Sequence, residues 1–101
     1  MSSVIPLIDH AVLHPTQTES DLVAACKLCR DLGAFSVCVK PYMIASAVKL
    51  LAGSKTVVST VIGFPHGSPP TSIKAAEARW ACEQGARELD MVINVGQAQQ
   101  K

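Results

Sequence analysis

Three helix-period stretches, each closed by a glycine, separate four short apolar runs, and this alternation constrains the fold more than any other feature of the chain. Thr18 to Leu32 carries Leu22, Cys26, Cys29 and Leu32 on one stripe, and Thr18 and Asp21 are spaced as a capping-box variant. Tyr42 to Leu51, opened by Pro41, places Ile44, Ala47, Val48 and Leu51 on one face. Ile73 to Gln84 turns Ile73, Ala76, Trp80 and Ala81 inward. Gly33, Gly53 and Gly85 follow these stretches, where a residue tolerating positive φ closes the turn. The strands are expected at Val4 to Asp9, Ala34 to Lys40, Thr56 to Gly63 and Glu88 to Val95. Near-continuous apolar strands alternating with amphipathic helices call for a parallel sheet covered by helices, with right-handed crossovers. The expected fold is therefore α/β, four strands and three helices in one domain over 1–101.

Composition narrows the partners. A chain of 101 residues that is 49% hydrophobic and 17% charged is too apolar for disorder. A net charge of +1 with 4% aromatics offers no basic stripe with stacking rings, so no nucleic-acid partner is expected. No charged-then-apolar leader and no apolar run of about 18 residues occurs, so no membrane partner and a cytoplasmic location are expected. Cys26, Cys29, Cys38 and Cys82 sit in periodic apolar segments and read as reduced, packed thiols. The Cys26-x-x-Cys29 spacing falls inside a helix, where no N-terminal dipole lowers a thiol pKa. His10 and His14 are four apart, but Pro15 disfavours a helix there, and no metal is expected.

In parallel α/β folds, ligands meet the carboxyl ends of the strands. The polar residues expected there are Asp9 and His10, Lys40, the Gly63-Phe64-Pro65-His66-Gly67 turn and Asn94. Asp90 stands out, because a carboxylate in an apolar strand costs several kcal/mol unless it is paired or used. It reads either as a general acid or base or as half of a buried salt bridge. Asn94, four residues on, would share its face. Asp9 reads as a second strand-borne acid or as the start of an Asx turn. Lys40 is the one lysine expected at a strand exit, and beside Pro41 it reads as solvated rather than nucleophilic. A doubly wound ligand-binding domain is a further alternative, weakened by the lack of a glycine-rich nucleotide loop.

Four segments, Ile8-Asp9-His10-Ala11-Val12-Leu13-His14-Pro15, Ser36-Val37-Cys38-Val39-Lys40-Pro41, Thr60-Val61-Ile62-Gly63-Phe64-Pro65-His66-Gly67 and Glu88-Leu89-Asp90-Met91-Val92-Ile93-Asn94-Val95-Gly96, resemble in order the motifs of deoxyribose-phosphate aldolase. The resemblance implies the N-terminal half of a TIM barrel. It also implies reversible cleavage of 2-deoxy-D-ribose 5-phosphate, a small phosphorylated sugar, to glyceraldehyde 3-phosphate and acetaldehyde through a lysine Schiff base. Neither a cofactor nor a metal is implied. Asp90 corresponds to the family's proton-relay aspartate, while Asp9, Leu13, Cys38 and Phe64 resemble positions lining the pocket, although Cys38 also fits plain strand packing. In the family the Schiff-base lysine, its partner lysine and the phosphate loops lie on later strands, beyond Lys101, so the isolated chain is expected to be inactive. Ala11, His14 and Lys40 depart from the usual Thr, Lys and Asn or aromatic. The alternative function is a non-catalytic half-barrel assembly module, pairing with itself as a homo-oligomer or with a complementary half through exposed sheet edges.

Overall fold

The computed structural model describes residues 3–100, so the domain expected over 1–101 extends slightly beyond them at both ends. Its elements are β1 (Asp9–Val12), α1 (Glu19–Leu32), β2 (Ser36–Val39), α2 (Ile44–Leu50), β3 (Val57–Ile62), α3 (Thr71–Gln84), β4 (Glu88–Met91) and α4 (Val95–Gln99), with 3-10 turns at Ile5–Leu7 and Pro41–Met43. The four strands form one sheet in the order β1-β2-β3-β4, and every pairing is parallel. Doubly wound sheets reverse their strand order at a switch point. Here the order never reverses, which removes the doubly wound alternative. Right-handed crossovers in a sequential sheet place all the helices on one face.

Register then sorts the side chains. Val12, Val37, Val39, Val58, Ile62 and Leu89 point to the helix-covered face and pack with Leu22, Ala25, Cys26, Cys29, Met43, Ile44, Ala47 and Ala81. Their strand neighbours Asp9, Ala11, Ser36, Cys38, Ser59, Val61, Glu88 and Asp90 point to the helix-free face, because side chains alternate along a strand. One face is thus an apolar core and the other a layer of small and acidic groups. Buried hydroxyls on the core side are satisfied locally: Thr60 Oγ1 donates to the Val39 carbonyl at 2.7 Å and Thr56 Oγ1 to the Ala34 carbonyl at 2.7 Å.

Several elements differ from expectation for identifiable reasons. Val4 to Asp9 is not a strand. Pro6 has no N–H for a ladder, and Leu7 and Ile8 instead donate to the carbonyls of Val4 (2.9 Å) and Ile5 (3.0 Å) in a 3-10 turn. The first strand therefore begins at Asp9 instead of ending there. At the other end, β4 stops at Met91, and a fourth helix follows because the Asn94 side-chain oxygen Oδ1 accepts the Gln97 amide at 3.0 Å as an N-cap. The capping box of α1 is present, with Asp21 accepting the Thr18 amide at 2.8 Å. On α3 the buried side is Ala81 with Ala78, and the larger Ile73 and Trp80 are exposed, as is Leu32 on α1.

Candidate functional site

The helix-free face gathers three of the five site residues expected from the sequence. Asp9 Oδ1 accepts hydrogen bonds from Ser36 Oγ and, at 3.0 Å, from Ser59 Oγ, both serines being buried. One strand further along, the Cys38 thiol faces Asp90 Oδ2 at 3.9 Å. The oxygen and sulfur atoms of Asp9, Cys38 and Asp90 all lie within 4.8 Å of one another. Burial pushes the Cys38 thiol above its ordinary pKa; a hydrogen bond with Ser59 opposes this, and the carboxylates of Asp9 and Asp90 add to the rise. Two carboxylates and a thiol form a donor set that suits a divalent cation. However, Asp9 is committed to two serines and Cys38 is held protonated, whereas metal ligation needs the thiolate.

Three expectations change here, for Asp90, Asn94 and Asp9. Asp90 lies on β4, which is paired only with β3, and its side chain is exposed instead of enclosed in apolar surroundings. Among the described residues no lysine or arginine pairs with it; the ion pair found is Lys27–Asp31, at 3.0 Å on the exposed side of α1. Asn94 does not share its face, since it caps α4. Asp9 sits at the amino end of β1 and bonds across the sheet, so neither a strand-exit position nor an Asx turn describes it.

The other two site residues, Leu13 and Phe64, line a cavity of about 730 Å³ at the carboxyl ends of β1 to β3. Lys40, Tyr42, Val61 and Glu77 also border it. Val61 is aligned with Asp90 across the β3–β4 ladder, so the cavity and the acidic cluster adjoin along the same side of the sheet. Two side chains of α3 hold the segments that follow β3 and β4: Glu77 Oε1 accepts the Gly63 amide at 2.8 Å, and Lys74 Nζ donates to the Val92 carbonyl at 2.8 Å. At Gly67, φ is +70° and a Cβ would come within 1.8 Å of the Ile93 carbonyl oxygen, so only glycine fits.

Lys40 is not solvated as expected. It is half-buried and its ammonium donates to the carbonyls of Gln17 (2.8 Å), His14 (3.0 Å) and Pro15 (3.3 Å). Ser36 and Ser59 were missed as site residues. Their signal was present, as small hydroxyls in otherwise apolar runs, at positions that the register brings beside Asp9.

Comparison with known proteins places this geometry. A family model described as DeoC/LacD family aldolase matches residues 3–101. A protein of Carboxydothermus hydrogenoformans named deoxyribose-phosphate aldolase is 44% identical over 95 residues, covering 94% of this chain and 42% of the relative. One of Crocosphaera subtropica with the same name is 49% identical over 90 residues, covering 89% and 41%. Among solved structures, a putative deoxyribose-phosphate aldolase from Coccidioides immitis superposes with a TM-score of 0.94 at 36% identity, over 96% of this chain and 38% of that one. A deoxyribose phosphate aldolase from Aeropyrum pernix, described as a unique tetramer, superposes at 0.80 and 32% identity, over 93% and 40%. The chain spans about two fifths of the length of the relatives it matches, and its four βα units correspond to part of their TIM-barrel fold.

Proposed function

The chain belongs to the DeoC/LacD aldolase family, and from that premise we propose that it supplies the first four βα units of a deoxyribose-phosphate aldolase working through a lysine Schiff base. The observation that carries this reading is the meeting of Asp90, Cys38 and Asp9 on the helix-free face, next to the cavity bordered by Leu13 and Phe64. The reaction is reversible scission of 2-deoxy-D-ribose 5-phosphate into glyceraldehyde 3-phosphate and acetaldehyde. An amine nucleophile must be neutral, and an unperturbed lysine, with a pKa of about 10.4, is charged at neutral pH. A second cation or an apolar pocket depresses it.

Asp90 is suited to move the protons that accompany conversion of carbinolamine to imine, because it is exposed on the face where the reacting carbonyl would lie. The strands contribute Asp9, Glu88 and Asp90 to that face and no lysine or arginine, so its field favours a positively charged imine brought against it. Leu13 and Phe64 supply apolar contact for the short carbon chain. Lys40, with its three N–H groups taken by carbonyls, is not the nucleophile.

The test is a chimera in which this chain replaces the matched segment of the Carboxydothermus relative. The chimera should cleave the sugar phosphate and yield a borohydride-trapped adduct on a lysine outside the graft, while the 101-residue chain alone yields neither. Asp90→Asn in the chimera should lower kcat by about 10²-fold or more. A trapped adduct on Lys40 of the isolated chain, or an active chimera indifferent to Asp90→Asn, would sink the reading.

A second reading is supported by the edges of the sheet. β1 and β4 each pair on one side only, and such edges recruit another strand, so the chain is also suited to act as a module that joins itself or a complementary half. A monodisperse dimer by sedimentation, with no gain of cleavage on adding the remaining segment of a relative, would favour the module over the enzyme portion.

A further inference from the structure

We propose that Lys40 is a positioning residue of the candidate site, the tie that holds the β1–α1 loop as one wall of the cavity. The hydrogen bonds of the loop support this. The amides of His14, Thr16 and Gln17 are satisfied within the loop, by Gln17 Oε1 (3.1 Å), His14 Nδ1 (3.2 Å) and the His14 carbonyl (3.0 Å) respectively, and Pro15 has no N–H to offer. These bonds fix the shape of the loop but attach it to nothing else. Its outward carbonyls, those of His14, Pro15 and Gln17, all accept from the one ammonium of Lys40 on the exit of β2. Among the described residues, these are the only hydrogen bonds that join 14–17 to another strand's connection.

The ammonium is itself held in place. It has three N–H donors and three acceptors, and it lies 5.4 Å from the centre of the Tyr42 ring, within cation–π range. Pro41 fixes the backbone that follows it. Leu13, His14 and Pro15 line the cavity from the loop side, and Phe64 and Pro65 line it from the β3 exit, so the place of the loop sets the width between them. A tie of this kind acts through Leu13 and its neighbours rather than by touching the reacting carbon. Its removal should therefore weaken substrate binding more than it slows chemistry.

The catalytic consequence rests on the aldolase reading, whereas the tie itself does not, and two measurements keep them apart. In the 101-residue chain, Lys40→Met preserves length and removes the donors, and Lys40→Arg restores a charged donor. Backbone order parameters of residues 14–17 should fall from about 0.85 to below about 0.6 in Lys40→Met and stay close to the parent in Lys40→Arg, with β2 and β3 unchanged. In the chimera, Lys40→Met should raise KM about tenfold, with the loss in kcat/KM carried by KM and not by kcat, and Lys40→Arg should recover most of it. Unchanged order parameters in Lys40→Met would overturn the tie. A loosened loop with an unchanged KM, or a loss confined to kcat, would overturn its role in positioning. A parent chimera without turnover would count against the aldolase reading alone, leaving the order parameters to decide for or against the tie.

Discussion

Replacing Asp9 by alanine probes what the helix-free face requires. In the folded chain Asp9 Oδ1 is the shared acceptor for two buried hydroxyls, Ser36 Oγ and Ser59 Oγ. Hydrogen bonds to a charged acceptor contribute about 1.5–3 kcal/mol each, and the exposure of Asp9 lets water replace it in part, so the pair is taken near the lower figure, about 3 kcal/mol together. One effect opposes this. The Asp9 and Asp90 carboxylates approach within 4.8 Å, and relieving their repulsion in a water-like dielectric returns about 1 kcal/mol. The bonds win, and Asp9→Ala should cost about 2 kcal/mol, a fall of about 1–2 M in the urea midpoint for a domain of this size. Asp9→Asn keeps the acceptor oxygen and relieves the same repulsion, so it should stay within about 0.5 kcal/mol of the parent. In a Ser36→Ala, Ser59→Ala background Asp9→Ala should no longer cost stability and should gain up to about 1 kcal/mol from the relieved repulsion, because no hydroxyl is left without a partner. A cost that survives in that background, or an asparagine variant as unstable as the alanine one, would refute the reasoning.

Other consequences can be checked on the same protein. Gly67→Ala forces a Cβ against the Ile93 carbonyl at a positive φ and should cost at least about 2 kcal/mol in urea unfolding, whereas Gly33→Ala, with open space around it, should cost about 1 kcal/mol from backbone conformation alone. Cys82 is exposed while Cys26, Cys29 and Cys38 are buried, so one thiol should react quickly with an aromatic disulfide reagent and three only on unfolding. Burial, then the neighbouring Cys29 and Glu19, push Cys26 from its ordinary 9.0 up to about 11. Below pH 9 the folded and unfolded thiols are both protonated and stability is unaffected. Between pH 9 and 11 only the unfolded thiol ionises, so stability should fall by about 1.4 kcal/mol per pH unit, a slope that Cys26→Ala should reduce in urea titrations at successive pH values.

The alternation of strand and helix periods was legible because it reflects burial. Val37, Val39, Val58 and Ile62 had to be covered on the side the helices occupy, and Leu22, Cys26, Ile44 and Ala47 were the residues available to cover them. What was not legible depended on single backbone groups or on contacts far apart in sequence. Pro6 turned an apolar run into a 3-10 turn, and Asn94 ended β4 early by capping a helix. Lys40 looked solvated because periodicity says nothing of carbonyls 23 to 26 residues away that converge on one ammonium. The pairing of Asp9 with Ser36 and Ser59, across 27 and 50 residues, is set by register alone.

Asp90 shows why an apolar neighbourhood in sequence is not burial in space. Leu89 turns to the core and Asp90 to the opposite face, so the same run of residues serves two environments. On β4, whose outer edge is unpaired, nothing encloses the carboxylate; its close partner is the thiol of Cys38. Desolvation therefore does not hold Asp90 in place; what fixes its position is the β3–β4 ladder, which aligns it with Val61 beside the cavity. For the proton transfer proposed for Asp90, that arrangement serves better than an enclosed salt bridge, since a cation bound to the carboxylate would compete for the lone pairs the transfer needs.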